Sequence, residues 1–113
     1  QGGPKQAPGA GRLDKREKRE LSRLQSQLQP NVASIFKAMC WCLDHADCAI
    51  EVARCLVEGL LEESLPLDER VLRLCLVSDV LHNSGSSVAS AAWVFKREFE
   101  AQMPEAGFAW CLP

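Results

Sequence analysis

The sequence lacks tyrosine, has only two histidines, and contains no long run of apolar residues. A membrane-spanning helix needs roughly 18 or more uninterrupted apolar residues, so the sequence predicts no membrane span. The first residues are Gly, Pro and Gln, without the basic and then apolar pattern of a signal peptide. We therefore expect a soluble, non-secreted protein whose 113 residues form one domain.

The cysteines could suggest a disulfide framework. They are Cys40, Cys42, Cys48, Cys55, Cys75 and Cys111. The first five lie at apolar positions inside segments with helical periodicity, which is where buried free thiols are found. We therefore predict that these five are reduced and mostly buried, as in a protein of the cytosol or nucleus.

The formal net charge of -2 is unevenly distributed along the chain. Residues 1–30 contain seven Lys/Arg against three Asp/Glu, whereas residues 31–113 contain six against twelve. An acidic folded part lacks the clustered cations that phosphate contacts require. The cations of the first helix alternate with Asp14, Glu17 and Glu20, as on an ordinary solvated face. The composition thus predicts no direct binding of nucleic acid.

Three segments follow from composition. Residues 1–11 are rich in Gly and Pro and have almost nothing to bury, which predicts a disordered tail. Residues 12–103 carry the helical periodicity of a domain. Residues 104–113 begin with a proline, have no clear period, and are predicted to form an irregular tail that packs poorly.

Five short helices are predicted within this domain. The first runs from Leu13, with Leu21, Leu24 and Leu28 as its apolar stripe, and ends before Pro30. The next three are expected to be capped by Ser34, Asp47 and Asp68, the last of them ending at Asn83, Ser84 and Gly85. The fifth carries Val88, Ala91, Ala92, Phe95 and Phe99 on one face until Pro104. With no strand pattern, the prediction is an all-α, solenoid-like stack.

The fourth predicted helix ends in an informative way. Its segment LCLVSDVLHNS, residues 74–84, turns from apolar to polar over its last turn and a half. Asp79 and Asn83 are four residues apart and share a face. Two interpretations stay open: Asp79 accepts hydrogen bonds from a neighbouring helix while Asn83 ends its own, or the pair presents an acceptor and an amide to a bound peptide.

The pattern LxLVSDVLxNS resembles helix four of CTD-interacting (RPR) domains. The segment AMCWCLDHADCAIEVARCLVEGL is similar to helices two and three of this domain in SURP-motif-containing splicing proteins associated with the U2 snRNP, and VASAAWVFKREFE resembles the fifth. The resemblance implies a right-handed superhelix of the ENTH/VHS type, with about five of eight expected helices present. It also implies binding of the phosphorylated heptad repeats (YSPTSPS) of RNA polymerase II in a groove lined by helices two, four and seven.

The resemblance also implies a set of peptide-binding residues. Asp79 would accept the hydroxyl of the heptad tyrosine, and Asn83 would hydrogen-bond the peptide backbone. Ser78, Val80 and His82 would line the same wall. The sequence departs from the family at His82 and also at Cys75, where family members often carry tyrosine, and it lacks the helix-seven cation that pairs with phosphoserine.

These features together predict a nuclear, monomeric interaction module of pre-mRNA splicing with no catalytic residues, no metal and no cofactor. Its implied partners are the phosphorylated polymerase tail and spliceosomal proteins, with no membrane involved. One alternative is a structural helical adaptor of the VHS/ENTH type, although residues 31–113 lack a basic lipid-facing patch. The other is a fragment without binding activity of its own.

Three weaker constellations remain. Cys40, Cys42 and His45 could suggest zinc, but residues two apart on a helix point to different faces. A cysteine nucleophile, Cys48 or Cys75 with His45 or His82, lacks the usual strand-turn-helix context. The tryptophans could stack on a peptide, but Trp41 and Trp93 are predicted in or beside the core and only Trp110 is predicted to be exposed.

Overall fold

The computed structural model describes residues 7–84 and 93–106, and this part of the chain contains helices and no strand. The helices are α1 (Lys15–Ser26), α2 (Val32–Asp44), α3 (Ala49–Leu60), α4 (Leu67–Ser84) and α5 (Val94–Ala106), with a 3-10 turn (Ala46–Cys48) before α3. The predicted all-α class is confirmed. None of these helices combines the length and the apolar character that crossing a bilayer requires.

Helix α1 begins with a reciprocal cap. The Asp14 carboxylate accepts a hydrogen bond from the Glu17 backbone N–H at 2.7 Å, and the Glu17 carboxylate accepts one from the Asp14 N–H at 3.0 Å. Leu21, Leu24 and Leu28 are buried, which confirms the predicted apolar stripe. The helix therefore has a fixed start and one face committed to the core.

The predicted caps of the next two helices are wrong. Asn31 caps α2, because its side-chain oxygen accepts from the Ser34 N–H at 2.8 Å. Ser34 is thus the third residue of the helix, and its hydroxyl donates to the carbonyl of Gln29 at 2.9 Å. Asp47 lies in the 3-10 turn, and α3 starts at Ala49 without a side-chain cap. Asparagine caps as well as serine does, so sequence preference alone could not choose between the two positions.

The two remaining helices also differ from the prediction at one end. Asp68 lies inside α4, which the structure describes as far as Ser84. Phe95 and Phe99 are buried on one side of α5, as expected, whereas Val88, Ala91, Ala92 and Gly85 lie outside the described residues. The helix continues through Pro104 to Ala106, so the predicted break is wrong. A proline removes one N–H donor, but the residues after it can still adopt helical dihedrals.

The N-terminal segment, residues 7–11, contacts the start of α3. The Gly9 carbonyl accepts from the Ile50 N–H at 3.0 Å, and the Gly11 N–H donates to the Asp47 carbonyl at 2.8 Å. Gly9 has a φ of 80° and is buried against Val94. These residues belong to the fold, which corrects the expectation of a tail up to residue 11. Residues 1–6 and 107–113 lie outside the described part of the chain.

The core is built from two helix pairs. The most extensive packing joins α3 to α5, and the next joins α2 to α4. The largest fully buried side chains are Phe95, Phe99, Leu21, Leu56, Leu60, Leu76, Val52, Val80, Val94 and Cys42. Helix α4 also packs against α3 and α5, and its exposed residues lie on the remaining side of the helix.

Candidate functional site

The solvent side of α4 carries most of the residues predicted to bind a peptide. Leu76, Val77 and Val80 face the core, whereas the exposed positions from Val71 to the end of the helix are Val71, Cys75, Ser78, Asp79 and His82. A helix turns about 100° per residue, so these exposed positions form one continuous strip. The strip is apolar in its first half and polar in its second.

Asp79 has an exposed carboxylate. Among the residues that the structure describes, its side-chain oxygens accept no hydrogen bond and form no ion pair. This geometry disfavours the interpretation in which Asp79 is a structural acceptor for a neighbouring helix. A ligand that donates a hydrogen bond would therefore meet an acceptor that is not yet engaged.

Asn83 connects α4 to α2. Its amide nitrogen donates to the backbone carbonyl of Asp79 at 2.8 Å and contacts the sulfur of Met39 at 3.2 Å. The side chain is half-buried between the two helices. In this structure the Asn83 amide is therefore engaged within α4 and at the α2 contact, and its binding of a peptide stays a prediction.

Val80 cannot serve as predicted. Its side chain is fully buried, at 0% exposure, on the side of α4 that packs into the core. Ser78 and His82 are both exposed and remain available. The reason is the helical turn: a residue directly after Asp79 points about 100° away, here toward Leu76 and Val77. Of the three residues that the resemblance places beside Asp79, only Ser78 and His82 are therefore accessible to a peptide.

Helix α2 adds apolar surface beside Asn83. Phe36 is 57% exposed, and it lies three residues before Met39, hence on the same side of the helix. We refer to Phe36, Cys75, Asp79 and Asn83 together as the α2/α4 surface. It combines an exposed aromatic ring, an exposed carboxylate and a half-buried amide, which suits an extended peptide that carries an aromatic side chain.

The five cysteines in the described residues are free thiols. Cys42 and Cys48 are buried, Cys40 and Cys55 are half-buried, and Cys75 is exposed, which corrects the prediction for that position. Cys111 lies outside the described residues. Burial raises the pKa of the Cys42 thiol to about 12. Burial and three nearby carboxylates raise the pKa of Cys48 to about 11, which is the opposite of an activated nucleophile.

The ring of His45 is held by structural contacts. Its Nδ1 is 2.7 Å from the Trp41 carbonyl, its Nε2 is 3.4 Å from a Glu17 carboxylate oxygen, and the ring stacks on Trp41 at 3.8 Å. Within residues 7–84 and 93–106, no three His, Cys, Asp or Glu side chains are grouped as a metal would require. These contacts tie His45 to α1 and α2.

The tryptophans differ from expectation at one position. Trp41 is half-buried, as predicted, but Trp93 is 50% exposed. The Arg97 guanidinium lies over its ring, 5.1 Å from the centroid. Trp93 directly precedes α5, so its side chain is not constrained to the helix face that packs on α3. Trp110 lies outside the described residues.

We expect cysteine labelling to follow this burial pattern. With N-ethylmaleimide at neutral pH, Cys75 should react first among the five described cysteines, while Cys42 and Cys48 should react only after unfolding. At that pH a thiol whose pKa is about 12 has roughly a thousandth of the thiolate of an ordinary cysteine. Peptide mass spectrometry after timed labelling gives the order, peptide by peptide, for the described cysteines. Labelling of Cys42 as fast as Cys75 in the folded protein would contradict the structure.

The chain is similar to known proteins over part of its length only. No family model and no solved structure matches the chain. Two curated proteins of Arabidopsis thaliana are similar over 73 residues, 65% of this chain: "Protein RRC1" at 41% identity and "Protein RRC1-like" at 38%. The chain spans 8% of the length of each. Over this segment, the chain is a partial homologue of the RRC1 proteins.

Proposed function

We propose that the chain is a non-enzymatic, monomeric, peptide-binding module of the CTD-interacting type, with the superhelical order of that family. It binds the phosphorylated heptad repeats of RNA polymerase II and serves pre-mRNA splicing in the nucleus, alongside spliceosomal proteins. The observation that carries the proposal is the exposed, unengaged Asp79 carboxylate next to Asn83 at the α2–α4 contact. The all-helical fold and the α4 sequence pattern support it.

The α2/α4 surface suggests how a heptad peptide is bound. The tyrosine hydroxyl donates to the Asp79 carboxylate, while the ring packs against the apolar part of the surface at Phe36 and Cys75. A hydrogen bond to a charged acceptor contributes about 1.5–3 kcal/mol. The Asn83 amide engages the peptide backbone by giving up its contact with the Met39 sulfur, which is a weak acceptor.

Phosphate recognition is expected to be weak in this chain. The resemblance assigns phosphoserine pairing to a cation of the seventh helix, and an Arg–phosphate pair is among the stronger polar contacts. On the strip of α4 defined above, the only basic side chain is His82. The proposal therefore predicts that this chain binds heptad peptides mainly through tyrosine, with little discrimination between phosphorylated and unphosphorylated forms.

The test is the Asp79→Asn variant. We expect it to weaken heptad-peptide binding by about 1.5–3 kcal/mol, because the charged acceptor is lost, while thermal stability changes little since the side chain is exposed. Isothermal titration with two-repeat peptides and thermal melts of the same samples give both quantities.

Glu69→Gln is the matched control, since it removes an exposed carboxylate from the other end of α4 and should leave binding unchanged. A stable Asp79→Asn protein that binds as well as the parent would remove the residue-level support. A parent chain that binds no heptad peptide at all would instead favour the VHS/ENTH-type adaptor or a fragment without binding of its own.

A further inference from the structure

One face of α1 carries a row of arginines. Arg16, Arg19 and Arg23 are spaced by three and four residues, and all three are exposed. The helical rise places them about 4.5 and 6 Å apart along the axis. They line an open concavity of about 380 Å³ together with Glu20, and Lys15 is exposed at the start of the same helix. We refer to Arg16, Arg19 and Arg23 as the arginine row.

The carboxylates that alternate with these cations in the sequence are mostly engaged elsewhere. Asp14 and Glu17 bond to each other's backbone N–H groups, and the second oxygen of Glu17 lies 3.4 Å from the His45 ring. Only Glu20 stays beside the row. Among the described residues, none of the three guanidinium groups has an ion pair or hydrogen bond. Folding thus converts a mixed charge run into a positive face.

The burial of α1 restricts what this face can bind. Leu21 and Leu24, on the opposite side of the helix, and Leu28, just after its end, are in the core. The helix therefore cannot insert an apolar face into a bilayer or into the groove of another protein. Binding has to be electrostatic and directed at the arginines, which favour phosphate because their planar fork matches its oxygens.

The spacing of the three arginines along α1 favours one class of phosphate ligand over another. A single phosphoresidue is best held by side chains that converge on one point, whereas a row of cations matches the regularly spaced phosphates of a polynucleotide. The segment from Lys15 to Ser26 has no aromatic residue on which a base could stack. We propose that the arginine row binds the sugar–phosphate backbone of RNA or DNA without reading its sequence. This departs from the expectation drawn from composition, which could not separate the faces of α1.

The test is fluorescence anisotropy of the intact chain with labelled oligouridylate and oligothymidylate. Three phosphate contacts on a single strand give a slope of about -2 for log affinity against log salt. Raising salt from about 50 to about 200 mM should therefore weaken binding by about 20-fold. Equal affinity for the two oligomers would indicate that the phosphates alone are recognised. A higher affinity for oligouridylate would indicate that the ribose 2′-hydroxyl also contacts the protein.

Two triple variants decide whether the row is responsible. Arg16→Ala/Arg19→Ala/Arg23→Ala should lower the affinity at about 50 mM salt by at least about tenfold. Lys37→Ala/Arg54→Ala/Lys96→Ala removes the same charge from exposed positions on other helices and should change it less than about twofold. Circular dichroism checks that both variants fold.

Three results would overturn the proposal. The first is the absence of saturable binding to either oligomer. The second is an equal loss in both variants, which would indicate bulk charge. The third is a loss of phosphorylated-peptide binding in the arginine variant with oligonucleotide binding unchanged, which would assign the row to a phosphopeptide. None of these three results depends on the heptad-peptide titration of Asp79→Asn. The nucleic-acid proposal can therefore fail while the proposed function holds, and the reverse.

Discussion

Replacing Phe95 by alanine is expected to destabilise the protein by about 3–5 kcal/mol. The side chain is fully buried in the α3–α5 contact, the most extensive in the fold, and its ring stacks with that of Phe99 at a centroid distance of 6.4 Å. Removing it loses the transfer free energy of the ring and leaves a cavity. Domains of this size typically have only about 5–15 kcal/mol of stability, so the variant should be close to unfolding. Urea denaturation followed by circular dichroism measures the change.

Phe36→Ala is the matched control, because it removes the same ring from an exposed position. We expect it to cost less than about 1 kcal/mol of stability. If Phe36 belongs to a peptide-binding surface, this variant should nevertheless weaken heptad binding. Equal stability losses in the two variants would contradict the placement of α5.

Replacing Gly9 by alanine is expected to destabilise the protein by up to several kcal/mol. An L-residue in the left-handed conformation costs about 1–2 kcal/mol, and forcing atoms into a packed site costs about 1–3 kcal/mol. Both apply here, since Gly9 has a φ of 80° and a Cβ there would lie 2.8 Å from a methyl carbon of Val94. The loss cannot exceed the free energy with which the N-terminal segment docks, because the segment would otherwise detach. Urea denaturation of parent and variant gives the difference.

Ala7→Gly is the control for a general effect of chain flexibility. Ala7 is exposed in the same segment, and its replacement should alter stability by less than about 0.5 kcal/mol. A Gly9→Ala protein as stable as the parent would mean that residues 7–11 contribute nothing to the fold.

Helical periodicity was sufficient to predict which residues form the core. The capping preferences of single residues were not sufficient to predict where the helices begin. The stripe of Leu21, Leu24 and Leu28 is predictable because a single face must be buried whatever the partners are. The start of α3 was not predictable, because no side chain caps it. Its amide at Ile50 is satisfied by the carbonyl of Gly9, a residue distant in sequence that composition assigned to a tail. No local pattern records such a backbone contact.

The candidate site was predictable in part for a similar reason. Asp79 and Asn83 lie one helical turn apart, as their spacing predicts, and the Asn83 amide donates to the Asp79 carbonyl. Val80 was included among the predicted peptide-binding residues because it follows Asp79 directly in the sequence. Consecutive residues on a helix point in different directions, and the Val80 side chain is buried. The contact between Asn83 and Met39 joins two helices. Sequence alone could not specify it, because it depends on how α2 and α4 are placed in space.

The backbone bond between Gly9 and Ile50 makes the fold sensitive to cleavage of the chain. The acceptor is a main-chain carbonyl, so side-chain changes at neighbouring positions leave it in place. A peptide-bond cut does not. Arg12 is exposed directly after the N-terminal segment, and proteolysis there would release Gly9 from the domain. One cut would thereby remove a hydrogen bond at the start of α3 and uncover Val94 on α5, so that cleavage at this position would loosen the α3–α5 pair.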